Sequence, residues 1–118
     1  MSAESTREKG SKGEEIARKY LKTLGYRILD LNFRLKLGEI DIIALDNGTV
    51  VFVEVKSASS TRFGNPLSWV PLRKQQRIIR VSEIYLSRRG LYRSPARFDV
   101  VAVDHTMNIY HVKDAFRS

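Results

Sequence analysis

Two carboxylates and a lysine stand out in residues 38–56, GEIDIIALDNGTVVFVEVK. Asp41 and Glu54 sit inside runs of Ile and Val that otherwise read as buried strands, and Lys56 follows Glu54 by two positions. Asn47-Gly48 separates the runs, a dipeptide that favours a two-residue hairpin turn because both central residues take positive φ. With such a turn Asp46 faces Thr49, Leu45 faces Val50, Ile43 faces Phe52 and Asp41 faces Glu54, and Glu39 and Lys56 form the next rung. Side chains alternate between the faces of a strand, so Asp41, Glu54 and Lys56 share a face with Ile43, Leu45, Val50 and Phe52. Ile40, Ile42, Ala44, Val51, Val53 and Val55 make an apolar opposite face. Carboxylates facing each other with Cβ atoms ~5 Å apart repel, so the pair calls for positive charge. Lys56 with nearby arginines could supply it. A divalent ion held by oxygens would supply more, and Mg²⁺ suits one or two carboxylates plus a substrate phosphate.

Other residue types add less. Glu14 falls at the edge of an apolar helical face formed by Ile16, Ala17, Tyr20, Leu21 and Leu24, and could lean toward the hairpin, whereas Glu15 points away. A glutamate at a helix start is also favoured by the helix dipole alone. Gly13 lies near the middle of that face and would allow close backbone approach. Gln75 sits mid-stripe between Leu72 and Ile79, where its amide could reach the carboxylates or solvent. The only histidines, His105 and His111, have no acidic cluster around them in sequence and read as a poor metal site. No serine stands in a nucleophile-elbow context.

The elements that must position these residues follow from periodicity. Residues 1–12 are polar and predict a loose tail; a helix begins at Gly13 and stops at Gly25. Strands are expected at 26–35, 40–45 and 49–55. Residues 57–70 (SASSTRFGNPLSWV) read as a long loop, in which Phe63 could stack on bases and Trp69 packs on the core. Pro71 opens a second helix that Gly90 ends, with Leu72, Ile78, Ile79, Val81, Ser82, Tyr85 and Leu86 facing inward. Two more strands are expected at 97–104 and 108–112. The order helix, three strands, helix, two strands predicts a single α/β domain over 13–118 with a mixed sheet of about five strands flanked by helices.

The chain has 118 residues, 42% of them apolar, which is enough for one globular core. It has no cysteine, which excludes disulfides and thiolate metal sites and fits a reducing compartment. No apolar run approaches a membrane span, and the N-terminal residues lack a signal-peptide core, so the expectation is a cytoplasmic protein without a membrane partner. Its net charge of +8 points to an anionic partner, nucleic acid first. Arg73, Lys74, Arg77 and Arg80 on the second helix, with Arg34 and Arg62, could track a phosphate backbone.

An acidic residue, a hairpin and then Glu-x-Lys resembles the PD-(D/E)xK nuclease superfamily. More narrowly, GEEIARKYLKTLGYRIL, NFR, GEIDIIA, VFVEVKSASSTRFGNP, KQQRI and RFDVVAV, in this order over most of 13–116, resemble the bacterial YraN family of endonuclease-like proteins, distantly similar to archaeal Holliday junction resolvases. The resemblance implies a restriction-endonuclease-like core and Mg²⁺- or Mn²⁺-dependent hydrolysis of phosphodiester bonds in structured or branched DNA, with DNA placed ahead of RNA. It implies Asp41 and Glu54 as metal-binding carboxylates, Lys56 as the catalytic lysine, Glu14 as the helix carboxylate completing the site, the Val55 carbonyl as a backbone ligand, and Gln75 as a polar helper. Asp99 in RFDVV matches a position expected to be structural and paired with an arginine such as Arg97. By analogy with resolvases, a homodimer is a further expectation. Two positions depart from the pattern: Ile40-Asp41 replaces Pro-Asp, and Ala58 stands where many relatives have arginine. The alternative reading is a nucleic-acid-binding module that keeps the fold and site but does little chemistry.

Overall fold

The structure, a computed structural model, describes residues 3–57 and 69–117, with the side chains of the first helix described from Lys12 onward. The elements run α1 (Ala3–Thr23), β1 (Arg27–Leu35), β2 (Gly38–Asp46), β3 (Thr49–Ser57), α2 (Leu72–Arg88), β4 (Ala96–Val103) and β5 (Ile109–Phe116). The order expected from periodicity is the one observed. The five strands form one sheet in the order β1-β2-β3-β4-β5. The β1–β2, β2–β3 and β4–β5 pairs are antiparallel, while β3 and β4 run parallel, joined by the crossover that contains α2. This is a mixed sheet with a helix on each face, compatible with a restriction-endonuclease-like core.

Each helix forms where an apolar stripe meets the sheet. In α2, Ile78, Val81, Ser82 and Tyr85 recur at helical spacing and are buried. They pack on Ile40, Ile43, Val50, Phe52, Phe98 and Val100, with Trp69 and Val70 in the same cluster. On the opposite face Ala17 and Leu21 of α1 pack on Ile42, Ala44, Val51, Val53, Val101 and Val103. The central strand β3 is therefore buried on both sides over residues 50–54. Trp69, 8% exposed, packs as expected, whereas Arg62 and Phe63 lie outside the described residues.

Two differences from the sequence reading have physical causes. Helix α1 starts at Ala3, ten residues before the expected start at Gly13. Periodicity reveals a helix only where one face is buried, and 3–12 carry polar helix formers with no apolar stripe. Pro71, expected to open α2, is its N-cap, with φ −57° and ψ 147°.

Candidate metal centre

The Asn47-Gly48 turn has the expected geometry, with φ of 48° and 85°. It sets the register Asp46↔Thr49, Leu45↔Val50, Ala44↔Val51, Ile43↔Phe52 and Ile42↔Val53. The backbone ladder stops there. Instead of a rung between Asp41 and Glu54, the Asp41 carboxylate turns toward β3 and its Oδ2 accepts the Val55 amide at 2.8 Å. The expected rung between Glu39 and Lys56 does not form either, because β3 continues alongside β4 only, from Glu54↔Val100 to Ser57↔Val103.

Alternation also breaks at this level. Ile40 was expected on the face of Ile42 and Ala44, yet it joins Ile43 and Phe52 under α2. A matching irregularity lies on β1: Asn32, across from Asp41 in the register that joins Leu31 to Ile42 and Phe33 to Ile40, has φ 51°. Asparagine is among the few residues that enter this left-handed region readily. The kink brings its amide between two carboxylates, and the orientation that satisfies both is the flipped one, assigned on hydrogen-bonding grounds, in which the nitrogen donates to Glu14 Oε2 and Glu39 Oε1 at 3.1 Å each. Asn32 is thus a site residue that the sequence analysis missed. Its signal was a polar, poor strand former between Leu31 and Phe33.

Helix α1 delivers Glu14 through a close approach at Gly13. A Cβ on Gly13 would stand 2.6 Å from Ser57 Oγ. Glu14 is half-buried, and burial, outweighing the Asn32 hydrogen bond, raises its carboxyl above the usual range, with Glu39 and Glu54 adding to the rise. Asp41 is pushed much further, up to about 9, first by burial and then by hydrogen bonding and repulsion from Glu54; the Val55 amide opposes this. Asp41 and Glu54 therefore do meet as a side-chain pair, as the hairpin count required, although not as a ladder rung.

The positive charge beside them comes from an unexpected residue. Lys74, in the first turn of α2, places Nζ 2.6 Å from Glu54 Oε2. Lys56, given that role by the sequence, is exposed and forms no ion pair with a described residue. Gln75 does not reach the carboxylates: its Nε2 donates to the Val70 carbonyl at 2.8 Å, fixing the end of the loop. Arg73, Arg77 and Arg80 are exposed along α2, and Arg34 pairs with Glu39 at 3.2 Å. Helix α2 is held at its other end by Asp30, which accepts from Tyr85 Oη and Arg89, each at 2.7 Å.

Among the described residues no three acidic or histidine side chains form a preformed metal cage. The oxygens on offer are those of Asp41 and Glu54 and, across Asn32, of Glu14. A pair of carboxylates of which one is driven toward its protonated form is a place where a divalent cation can replace a proton. The donor set is all oxygen, as Mg²⁺ prefers.

A second polar cluster lies apart from these residues. Asp99 is fully buried and accepts from Arg97 Nε at 3.0 Å and the Asp114 amide at 3.0 Å, and His111 Nε2 lies 2.8 Å from it. Arg97 also reaches Asp46 and the Tyr26 hydroxyl, and His111 Nδ1 lies 3.0 Å from Tyr20 Oη. Burial raises the Asp99 carboxyl, but its partners win and hold it below the usual range. The pairing with Arg97 is as expected. His111, which has no acidic cluster around it in sequence, gains an acidic partner in the fold because Asp99 arrives from the neighbouring strand.

No described helix is long and apolar enough to cross a membrane. The family model described as "Uncharacterised protein family UPF0102" matches residues 13–103. A UPF0102 protein of Persephonella marina is 46% identical over 108 residues, covering 92% of each chain. Another from Caldicellulosiruptor saccharolyticus is 44% identical, covering 93% of this chain and 98% of the relative. One from Alkaliphilus oremlandii is 50% identical, covering 91% and 96%. A match across most of both chains at such identity leaves one assignment: the chain belongs to the UPF0102 family, the endonuclease-like YraN group that its motifs resemble.

Proposed function

We propose that this protein is a metal-dependent, nuclease-like phosphodiester hydrolase acting on structured or branched DNA. The observation that carries the reading is the Asp41–Glu54 pair at the end of a buried hairpin, Glu54 buried in the central strand and Asp41 turned toward it with its Oδ2 on the Val55 amide. A structural ion pair has no need of such an arrangement, whereas a site for Mg²⁺ or Mn²⁺ does. When bound, the ion would lower the pKa of a water and offset charge on the attacked phosphate.

The chain's own residues have separable roles in this reading. Asp41, Glu54 and the Val55 carbonyl would hold the metal, with the Val55 amide fixing the Asp41 carboxylate from behind. Glu14 would add a carboxylate, held by Asn32. Lys56, exposed at the end of β3, is free to orient a water or to stabilise charge on the phosphate electrostatically. Arg73, Arg77 and Arg80 would carry the duplex backbone, in keeping with the net charge of +8.

The binding-module reading is favoured by one feature, the Lys74–Glu54 ion pair, which puts a cation on the acidic pair from within the chain. Titration of Mg²⁺ and Mn²⁺ against branched, nicked and linear DNA separates the two. The hydrolase reading expects cleavage that falls to background in Asp41→Ala and Glu54→Ala. Cleavage that survives either substitution would overturn the site, and binding without cleavage on every substrate and metal would leave the module.

A further inference from the structure

The ion pair between Lys74 and Glu54 is asymmetric. The Glu54 side chain is 5% exposed and fixed in the middle of the sheet, whereas that of Lys74 is 53% exposed. Lysine carries a compact charge on a four-carbon stem with many rotamers, so the cation can leave and the anion cannot. The oxygen that Lys74 holds at 2.6 Å is one of the few that the acidic pair offers to a metal. An ammonium and a divalent ion cannot share those lone pairs without repelling each other.

The surroundings say where a released Lys74 would go. It lies in the first turn of α2, one residue from Arg73 and three from Arg77, and residues three apart on a helix are neighbours. Arg77 Cβ packs against Gly38, at the start of the strand that carries Asp41, 3.5 Å from where a glycine Cβ would stand. A lysine swung off Glu54 therefore joins an exposed basic edge bordering the acidic pair.

We propose that Lys74 is a resident counter-ion of Glu54 that a divalent metal displaces, and that the freed ammonium becomes a phosphate contact. The phosphate contact rests on the hydrolase reading; the exchange at Glu54 does not. The same residue serves two states: it keeps the buried carboxylate paired without metal and adds a cation to the nucleic-acid face with metal.

The exchange is tested without DNA by Mn²⁺ binding, read by electron paramagnetic resonance. Removing the competing cation should make Lys74→Gln and Lys74→Ala bind Mn²⁺ about three- to ten-fold more tightly than the parent. Arg77→Gln, which removes the same charge nearby without touching Glu54, should change affinity less than about two-fold. In the parent with ¹³C-dimethylated lysines, the Lys74 signal, assigned by its loss in Lys74→Gln, should shift on adding Mg²⁺. Equal or weaker Mn²⁺ binding in both Lys74 variants, or an equal gain in Arg77→Gln, overturns the exchange. A parent that binds no Mn²⁺ at millimolar concentration overturns both the exchange and the hydrolase reading. A parent that binds Mn²⁺ and cuts no DNA removes the hydrolase reading alone, and the affinities then decide the exchange. Where the parent cuts, Lys74→Gln should cut more slowly despite holding metal more tightly, a split that a merely structural residue would not produce.

Discussion

Replacing Asp41 with Asn should stabilise the fold at neutral and alkaline pH while abolishing the site. The Asp41 carboxyl is pushed from its ordinary 3.8 up to about 9, by burial first and by Glu54 second. Between these values the folded state keeps a proton that the unfolded chain has released. Stability therefore falls as pH rises through this window, the sign opposite to that of a salt-bridged aspartate. At 1.36 kcal/mol per unit, the cost accumulated by pH 7 is at most about 4 kcal/mol. Asparagine has the same shape, can still accept from the Val55 amide, and can donate its nitrogen to Glu54 without titrating. The expected gain is about 1–3 kcal/mol at pH 8, shrinking toward zero near pH 4. Urea unfolding of parent and Asp41→Asn, in chelator, at steps from pH 4.5 to 8.5 measures it directly. Repeating the pH 8 series with Mg²⁺ should narrow the gap, because a ligand that binds only the folded parent stabilises it by mass action. A variant no more stable than the parent at pH 8, or a difference that does not grow with pH, would refute the reasoning.

Three further outcomes are expected. Gly13→Ala should be nearly neutral in the parent, where the new Cβ forces Ser57 Oγ to rotate away, but should gain about 1 kcal/mol of helix propensity in a Ser57→Ala background. Thermal unfolding of the four proteins gives that coupling, and its absence would place α1 further from β3 than described. Asp99→Asn should cost about 3 kcal/mol near neutral pH, since it removes the fully buried anion that Arg97 and His111 both contact and leaves Arg97 with Asp46 as its one anionic partner among the described residues. With its carboxyl held below the usual range, the Asp99 contribution is present above an unfolded aspartate's pKa and is lost as pH falls through the folded value, so the penalty should shrink in acid unfolding curves. Charge reversal of Arg73 and Arg77 together should flatten the salt dependence of DNA affinity by roughly two counterions, and an unchanged slope would take α2 out of the interface.

What could be read from sequence was what short-range geometry fixes. Asn47-Gly48 permits one tight turn, and from it the register to Ile42↔Val53 follows by counting. Helix α2 was legible because its stripe from Ile78 to Tyr85 has no second interpretation once Pro71 and Gly90 bound it. The count failed at Asp41, where strand periodicity gives way to side-chain chemistry. Asn32 adopts φ 51° beside two carboxylates that reach it from α1 and from the start of β2. No local window of sequence contains all three residues. The pairing of Lys74 with Glu54 was missed for the same reason: the two are twenty positions apart, joined only by the way α2 crosses the sheet.

These long-range contacts also distinguish Asp41 from the three carboxylates around it. Glu39 has Arg34 at 3.2 Å and shares the Asn32 amide with Glu14. Glu54 has Lys74 at 2.6 Å. Asp41 is left with one backbone amide and no ion pair among the described residues. The chain has thus neutralised or hydrogen-bonded each carboxylate around Asp41 and left this one, buried against Glu54, short of positive charge. A fixed arginine there would pair Asp41 and occupy the place that the proposed metal would take. A lysine half in solvent, bonded to the neighbour rather than to Asp41 itself, leaves the deficit open to an incoming cation.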